Sequence, residues 1–355
     1  MDTETAWNVR RVLLSVLFLL IVALPLYPEL YGLDEVTPFT QLVSFRPQLL
    51  VLVFLLGLVM LLRWNWRIAA GLVILLSLTG GALIAPRDLS NPDPPPAGTR
   101  VLTVMVANVL GGGADAGEVA RLIRTHRPDL VSLPEAQGDV RQEIEAHLQG
   151  MQYYGYTQQA NTAVESATSV LVSATLGSVQ FESEKLDTDK VSSQRPTTPK
   201  PGAGDPRAQT IGPVQQTTTQ FGHVIVTGGN LGKLRLIAYH GYPPLPSAVT
   251  TWKQDLEVVK GWCSSGAETV LAGDFNATTD HADFRDALGR HCKSVAPSSG
   301  AGLQGTWPAD RPVFFRTQID HVVVSEGVVP GKFSTYEIDG TDHRAIIATV
   351  AVPKS

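Results

Sequence analysis

The chain has 355 residues, enough for one large domain or two modest ones, with 44% hydrophobic residues, only 17% charged residues and a net charge of −5. Residues 1–86 hold five acids and five Arg, so the whole acidic excess lies downstream. That balance argues against non-specific nucleic-acid binding, which needs a basic footprint.

Three apolar runs open the chain: Val12–Leu26, Leu49–Leu62 and Ile68–Ala85, of 15, 14 and 18 residues without a charge. Almost no polar face accompanies them, and a membrane-spanning helix needs about 17–25 apolar residues. They are read as three transmembrane helices, the first an uncleaved span and not a signal peptide, because two further runs follow it. Arg10 and Arg11 precede the first run, and Arg63 and Arg67 lie between the second and third. By the positive-inside bias this places the N-terminus in the cytoplasm and everything after Pro86 outside the plasma membrane.

The Pro-rich segment RDLSNPDPPPAG, residues 87–99 with the Thr that follows, reads as a stiff linker. Residues 100–355 then have the size of one α/β domain. Strand-like runs recur along it: RVLTVMVANV, DLVSLPE, TSVLVSAT, TQFGHVIVTGG, LRLIAYH, ETVLAGDFN, IDHVVVSEG and AIIATVAV. Helical periodicity appears in AGEVARLIRTHRP, in TTWKQDLEVVKGW and over 283–288. Strands outnumber helices, which predicts two packed, mainly antiparallel sheets flanked by helices. The Ser/Thr/Pro/Gln-rich segment Glu182–Gln220 reads as a long insertion, and GGGADAG near Gly111 lacks the Lys-Ser/Thr of a phosphate-binding loop. Cys263 and Cys292 either pair or sit as two buried thiols.

Polar residues mark the ends of these apolar runs: Asn108, Glu135, His240, Asp274 with Asn276, Asp320 with His321, and Asp342 with His343. Each alone has a turn or capping explanation. Together they form an acid, amide and imidazole set at strand ends, where open sheets bind ligands and where metal-assisted hydrolysis finds its groups. Asp274 and Asn276, two residues apart, share one face of their strand.

In order, VANV, PDLVSLPEA, AYHGYPP, LAGDFNA, QIDHVVVS and TDHRA resemble the blocks of the endonuclease/exonuclease/phosphatase (DNase I-like) superfamily, with Pro134 where Gln is usual and Thr341 in place of Ser. The resemblance spans Val101 to about Val352 and implies a four-layer α/β sandwich. It implies Mg²⁺ (Mn²⁺ as the alternative) held by Glu135, Asn108 and Asp342. It further implies catalysis by Asp274 on water, with Asn276 steadying the phosphate, His240 and His343 flanking the phosphoryl oxygens and Asp320 orienting His343. Asn108, Asn276 and His240 would contact substrate, while His321 and Asp280 read as structural. The expectation is a membrane-anchored phosphoesterase, with a lipid headgroup as a candidate substrate. The alternatives are an extracytoplasmic nuclease, disfavoured by acidity, and a non-catalytic binding module. No protein partner is evident in the sequence.

Overall fold

In the computed structural model, residues 3–182 and 219–354 are described. The expected insertion therefore falls almost wholly outside the described residues. The N-terminal region forms helix α1 (Thr3–Leu26), the short α2 (Phe39–Val43), α3 (Arg46–Met60), α4 (Arg67–Ile84) and the single turn α5 (Pro86–Leu89). Leu26, Leu50 and Ile84 cluster at one end of this bundle, and Phe18, Met60 and Ala70 at the other, so α1, α3 and α4 run up, down and up. The helices approach closely through glycine: a Cβ on Gly57 would lie 2.6 Å from Ile74, and one on Gly80 would lie 2.5 Å from Tyr27 and Leu50. Among the described residues one helix, Trp64–Leu89, is long and apolar enough to cross a membrane, while Val12–Leu26 and Arg46–Met60 are shorter apolar helices. Their outer faces expose Leu13, Leu17, Leu52, Leu55, Val59 and Leu75.

The remainder contains strands β1 (Thr99–Val106), β2 (Leu130–Pro134), β3 (Tyr153–Gln159), β4 (Ala167–Ser173), β5 (Val179–Glu182), β6 (His223–Gly228), β7 (Arg235–His240), β8 (Thr269–Asp274), β9 (Cys292–Ser294), β10 (Asp320–Ser325), β11 (Val329–Tyr336) and β12 (Ala345–Pro353). Between them lie α6 (Ala116–His126), α7 (Gly138–Ala146), α8 (Val249–Ser264), α9 (Ala282–Leu288) and α10 (Val295–Ser298). Among the described residues two six-stranded sheets form, ordered β11-β12-β1-β2-β4-β3 and β5-β6-β7-β8-β10-β9. Within each, one central pair is parallel (β1 with β2, β7 with β8) and the other pairs are antiparallel.

Alternation along the strands builds the layers. Leu102, Val104 and Val106 of β1 meet Leu236 and Ala238 of β7 and Val270 and Ala272 of β8 in the core between the sheets. Met105 and Val131 face the other way, onto Val119, Leu122 and Ile123 of α6. Ile237, Tyr239 and Leu271 face Trp252, Leu256 and Val259 of α8. Helix, sheet, sheet and helix thus stack as the expected four-layer sandwich. Cys263 at the end of α8 is disulfide-bonded to Cys292 of β9.

The bundle does not hang free of this sandwich. Asp280 is buried between two arginines, with Arg87 Nη1 at 2.9 Å and Arg46 Nη1 at 3.5 Å, and Arg46 also pairs with Glu29 at 2.6 Å. Around this pair, a His281 ring nitrogen lies 3.0 Å from the Thr40 carbonyl. Gln48 donates to the Arg316 carbonyl at 2.8 Å, and Thr317 donates to the Ser44 carbonyl at 2.6 Å. The first residue of the Pro-rich linker, Arg87, accepts at its carbonyl from the Gly302 amide, and a Cβ on Gly302 would lie 2.7 Å from the Arg87 Cβ.

Removing one partner of a buried charge network leaves the others uncompensated, at a cost of roughly 3–5 kcal/mol. Asp280→Ala should therefore lower the melting temperature of the full chain in detergent and open residues 87–99 to protease; an unchanged melt and digest would show that the network does not hold the two regions together.

His223, His281 and His321 are each pushed down to about 4 by burial. Each takes up a proton in the unfolded chain near its ordinary value of about 6.5 but stays neutral when folded. Stability is therefore complete above that value and falls as pH drops toward 4, by at most about 3 kcal/mol per histidine. Thermal melts across this window should fall steeply with acidity, and less steeply in His223→Gln; a flat profile would contradict the buried neutral state.

Candidate active site

Strand polarity brings the marked residues to one edge. The parallel strands β1, β2, β7 and β8 end there, just at or before Asn108, Glu135, His240 and Asp274, while the antiparallel β10 and β12 begin there, next to Asp320 and His343. Register fixes the match, since Asp274 pairs with His240 on one side and with Asp320 on the other.

At the centre is Asp274, 1% exposed. Its Oδ1 accepts the Asn276 amide at 2.8 Å, and its Oδ2 accepts Asn108 Nδ2 at 3.1 Å. His343 Nε2 stands 3.7 Å and His240 Nε2 3.9 Å from the same Oδ2. Burial, reinforced by the neighbouring Asp320 charge and opposed by His343, raises its carboxyl from 3.8 toward neutrality. A general base works best when its pKa lies near the operating pH, so this environment suits proton removal from water.

His343 and Asp320 form the second unit, with His343 Nδ1 2.9 Å from Asp320 Oδ2. Burial pulls the imidazolium down, but Asp320, through charge and hydrogen bond, together with Asp274 and Asp342, outweighs it and the histidine is raised. A protonated His343 presents Nε2–H to the site as a cationic donor. His240, pushed down to about 3 chiefly by burial, stays neutral. Phe221 packs on it with ring centroids 4.6 Å apart.

Glu135 and Asp342 form the third unit. Burial raises the Glu135 carboxyl, an Asn108 hydrogen bond and His343 oppose this, and the charges of Asp342 and Glu165 add to it. Asp342 Oδ2 accepts from Trp307 Nε1 at 2.9 Å, while its Oδ1 is buried without a hydrogen-bond partner among the described residues. Two neighbouring carboxylates, one with an oxygen that accepts no hydrogen bond and meets only His343 Nε2 at 3.9 Å, make a hard oxygen donor set that suits a divalent cation. A second acidic group, Asp274, Asp320 and His343, brings its ligand atoms within 4.8 Å of one another. There His343 Nδ1 and Asp320 Oδ2 already bond each other at 2.9 Å, whereas Asp342 Oδ1 has no hydrogen-bond partner among the described residues, so Glu135 with Asp342 fits a cation better.

The two asparagines hold the frame together. Asn108 donates from Nδ2 to Glu135 at 3.0 Å as well as to Asp274, and its Oδ1 accepts the Leu110 amide. Its oxygen, expected to face a metal, accepts that one bond and keeps a second lone pair, and the residue bridges two carboxylates. Asn276 donates Nδ2 to the Gly241 carbonyl at 3.0 Å, so it braces the β8 end against the β7 end. Among the described residues, three of the four non-glycine residues with positive φ lie here, Leu110 (48°), Glu135 (61°) and Asn276 (48°). Strained backbone clusters where side chains must be aimed. His321 binds the Ala277 carbonyl and Ser294, and Asp280 binds the helical bundle, so both are structural as expected. Trp307 was not singled out in the sequence, and a lone tryptophan in a loop gives no pattern by which to find it.

The sequence profile described as the Endonuclease/Exonuclease/phosphatase family matches residues 105–343. No curated protein is significantly similar in sequence. Among solved structures, a humanized D. rerio TDP2 carrying 14 mutations superposes with a TM-score of 0.51 at 18% identity, over 70% of this chain and 98% of that one. D. rerio TDP2 complexed with a single-strand DNA product gives 0.50 at 19% identity over the same shares. At these identities the likeness is one of fold.

Asp320→Asn removes the charge that keeps His343 protonated while preserving its shape. By NMR, His343 in the native chain should remain protonated across about pH 5–8 and should titrate within that window in the variant; an unmoved titration would remove Asp320 from its assigned role.

Proposed function

The chain belongs to the endonuclease/exonuclease/phosphatase family, and from that premise we infer that it is a membrane-anchored, Mg²⁺-dependent phosphoesterase that hydrolyses a phosphate ester by attack of water. Members of this family are typically metal-dependent phosphoester hydrolases, and the observation that carries the reading is the meeting of Glu135, Asp274, Asp320, Asp342, His240 and His343 at one edge of the paired sheets.

Each group has a task its surroundings suit. Glu135 and Asp342 would hold Mg²⁺, which supplies charge neutralisation to the phosphoryl oxygens. Asp274 takes the proton of the attacking water and orients it through its fixed carboxylate. His343, cationic and aimed by Asp320, donates to a phosphoryl oxygen as negative charge develops there. Neutral His240 donates from the opposite side of Asp274 and adds no repulsion to His343. Asn108 keeps Glu135 and Asp274 in register across the two sheets.

Three features support the anchored, extracytoplasmic part of the reading. The apolar outer faces of α1, α3 and α4 need an apolar surrounding. Arg63 and Arg67 lie at the end of the bundle away from the sandwich, the side that positive residues favour. The Cys263–Cys292 disulfide suits an oxidising compartment. The acidic outer domain favours a small or lipid-borne phosphoester over nucleic acid.

The test uses the full chain in lipid nanodiscs with and without Mg²⁺, on phospholipids, phosphoinositides, nucleotides and DNA. Metal-dependent release should fall at least about 10²-fold in Asp274→Ala, and Glu135→Gln should weaken Mg²⁺ binding by calorimetry. Full activity in a folded Asp274→Ala protein would overturn the assignment of the base. Failure of the native chain to bind Mg²⁺ or turn over any of these would overturn the hydrolase reading.

A further inference from the structure

Residues 307–317 form a loop whose base is pinched by a bridge between Trp307 and Thr317. One side of the base is tied to the active site, through Trp307 Nε1 on Asp342. The other is tied to the helical bundle, through Thr317 on the Ser44 carbonyl and Gln48 on the Arg316 carbonyl. Inside the loop, Arg316 donates to the Arg311 carbonyl at 2.7 Å and closes the tip into one turn of 3₁₀ helix, Val313–Phe315. That turn presents three apolar side chains to the outside, Val313, Phe314 and Phe315, at 73%, 40% and 55% exposure.

A constrained tip that exposes three adjacent apolar side chains calls for a partner, and its position identifies one. Gln48, which holds the loop, lies on the same face of α3 as Leu52, Leu55 and Val59, at helical spacing below it. Those three are 53%, 49% and 62% exposed, so the apolar tip continues the apolar outer strip of α3. Beside the tip, Arg311 is paired with the equally exposed Asp310 at 3.4 Å, so the apolar turn carries no net charge at its edge.

We propose that the Val313–Phe315 tip inserts into the outer leaflet of the bilayer that holds the helices, so that the Trp307–Asp342 side of the active site stands at the level of the lipid headgroups. This rests on the membrane-anchored reading above. A lipid phosphoester then reaches Asp274 without leaving the surface, and the loop that touches lipid is the loop that supports Asp342.

The chain's two cysteines form a disulfide, so a single introduced thiol can be labelled selectively. Phe314→Cys, Leu55→Cys and Glu257→Cys, each carrying an NBD fluorophore, are compared in the full chain reconstituted in phosphatidylcholine–phosphatidylglycerol nanodiscs containing doxyl-labelled lipid. The expected result is strong quenching at 314 and at 55 and none at 257 on exposed α8. Quenching at 55 with none at 314, and iodide access at 314, would overturn the proposal and leave the membrane reading standing. No quenching at 55 would overturn both. Because the readout needs no turnover, an inactive preparation tests the hydrolase reading separately.

Discussion

A carboxylate with almost no solvent sits where the two sheets meet, and the rest of the site is arranged to make that tolerable. An isolated buried charge is too costly to keep, so Asp274 must have hydrogen bonds and opposite charge around it. Those partners come from both halves of the fold. Asn276 and His240 belong to its own sheet, while Asn108 and His343 come from the other. The same contacts that lower the cost of burial therefore hold the two sheet edges in register. Asn108 does this twice over, since its amide spans Asp274 on one sheet and Glu135 on the other.

The fold was legible where strands are interior. All eight strand-like runs read from the sequence become β1, β2, β4, β6, β7, β8, β10 and β12, none of which lies at a sheet edge. Among the described residues, the four strands that were not read, β3, β5, β9 and β11, are the four edges. Interior strands are buried on both faces and read as unbroken apolar runs, whereas edge strands carry polar residues on open faces and resemble loops. YYGYTQQ of β3 and VPGKFSTY of β11 show this, the second with Pro330 at a register shift. α7, GDVRQEIEA, buries only a narrow strip and left little periodicity to find.

The site residues were legible for the same reason. A charged or amide group that stops an apolar run stands out against it, and interior strands supply such runs. What the sequence withheld were the side-chain directions. Nothing in VANV shows that Asn108 turns its nitrogen toward the carboxylates, and nothing in the spacing of Trp307 and Asp342 ties them together. These follow from the approach of segments far apart in the chain, which no local pattern records.

The loop after β8 carries the consequence furthest. Between Asp274 and His281 it serves two structures at once: its first residues build the active site, and its last are gripped by Arg46, Arg87 and Thr40 of the helical region. A stiff, proline-rich linker would by itself space the sandwich from the helices without fixing its orientation. Here the linker's first residue is bonded into the same network, and residues 300–302 pack against its backbone too closely for any side chain at Gly302. The height and tilt of the catalytic edge relative to the helices are thus set by buried charge pairing, and the helices form one wall of the loop on which Asp274 is mounted.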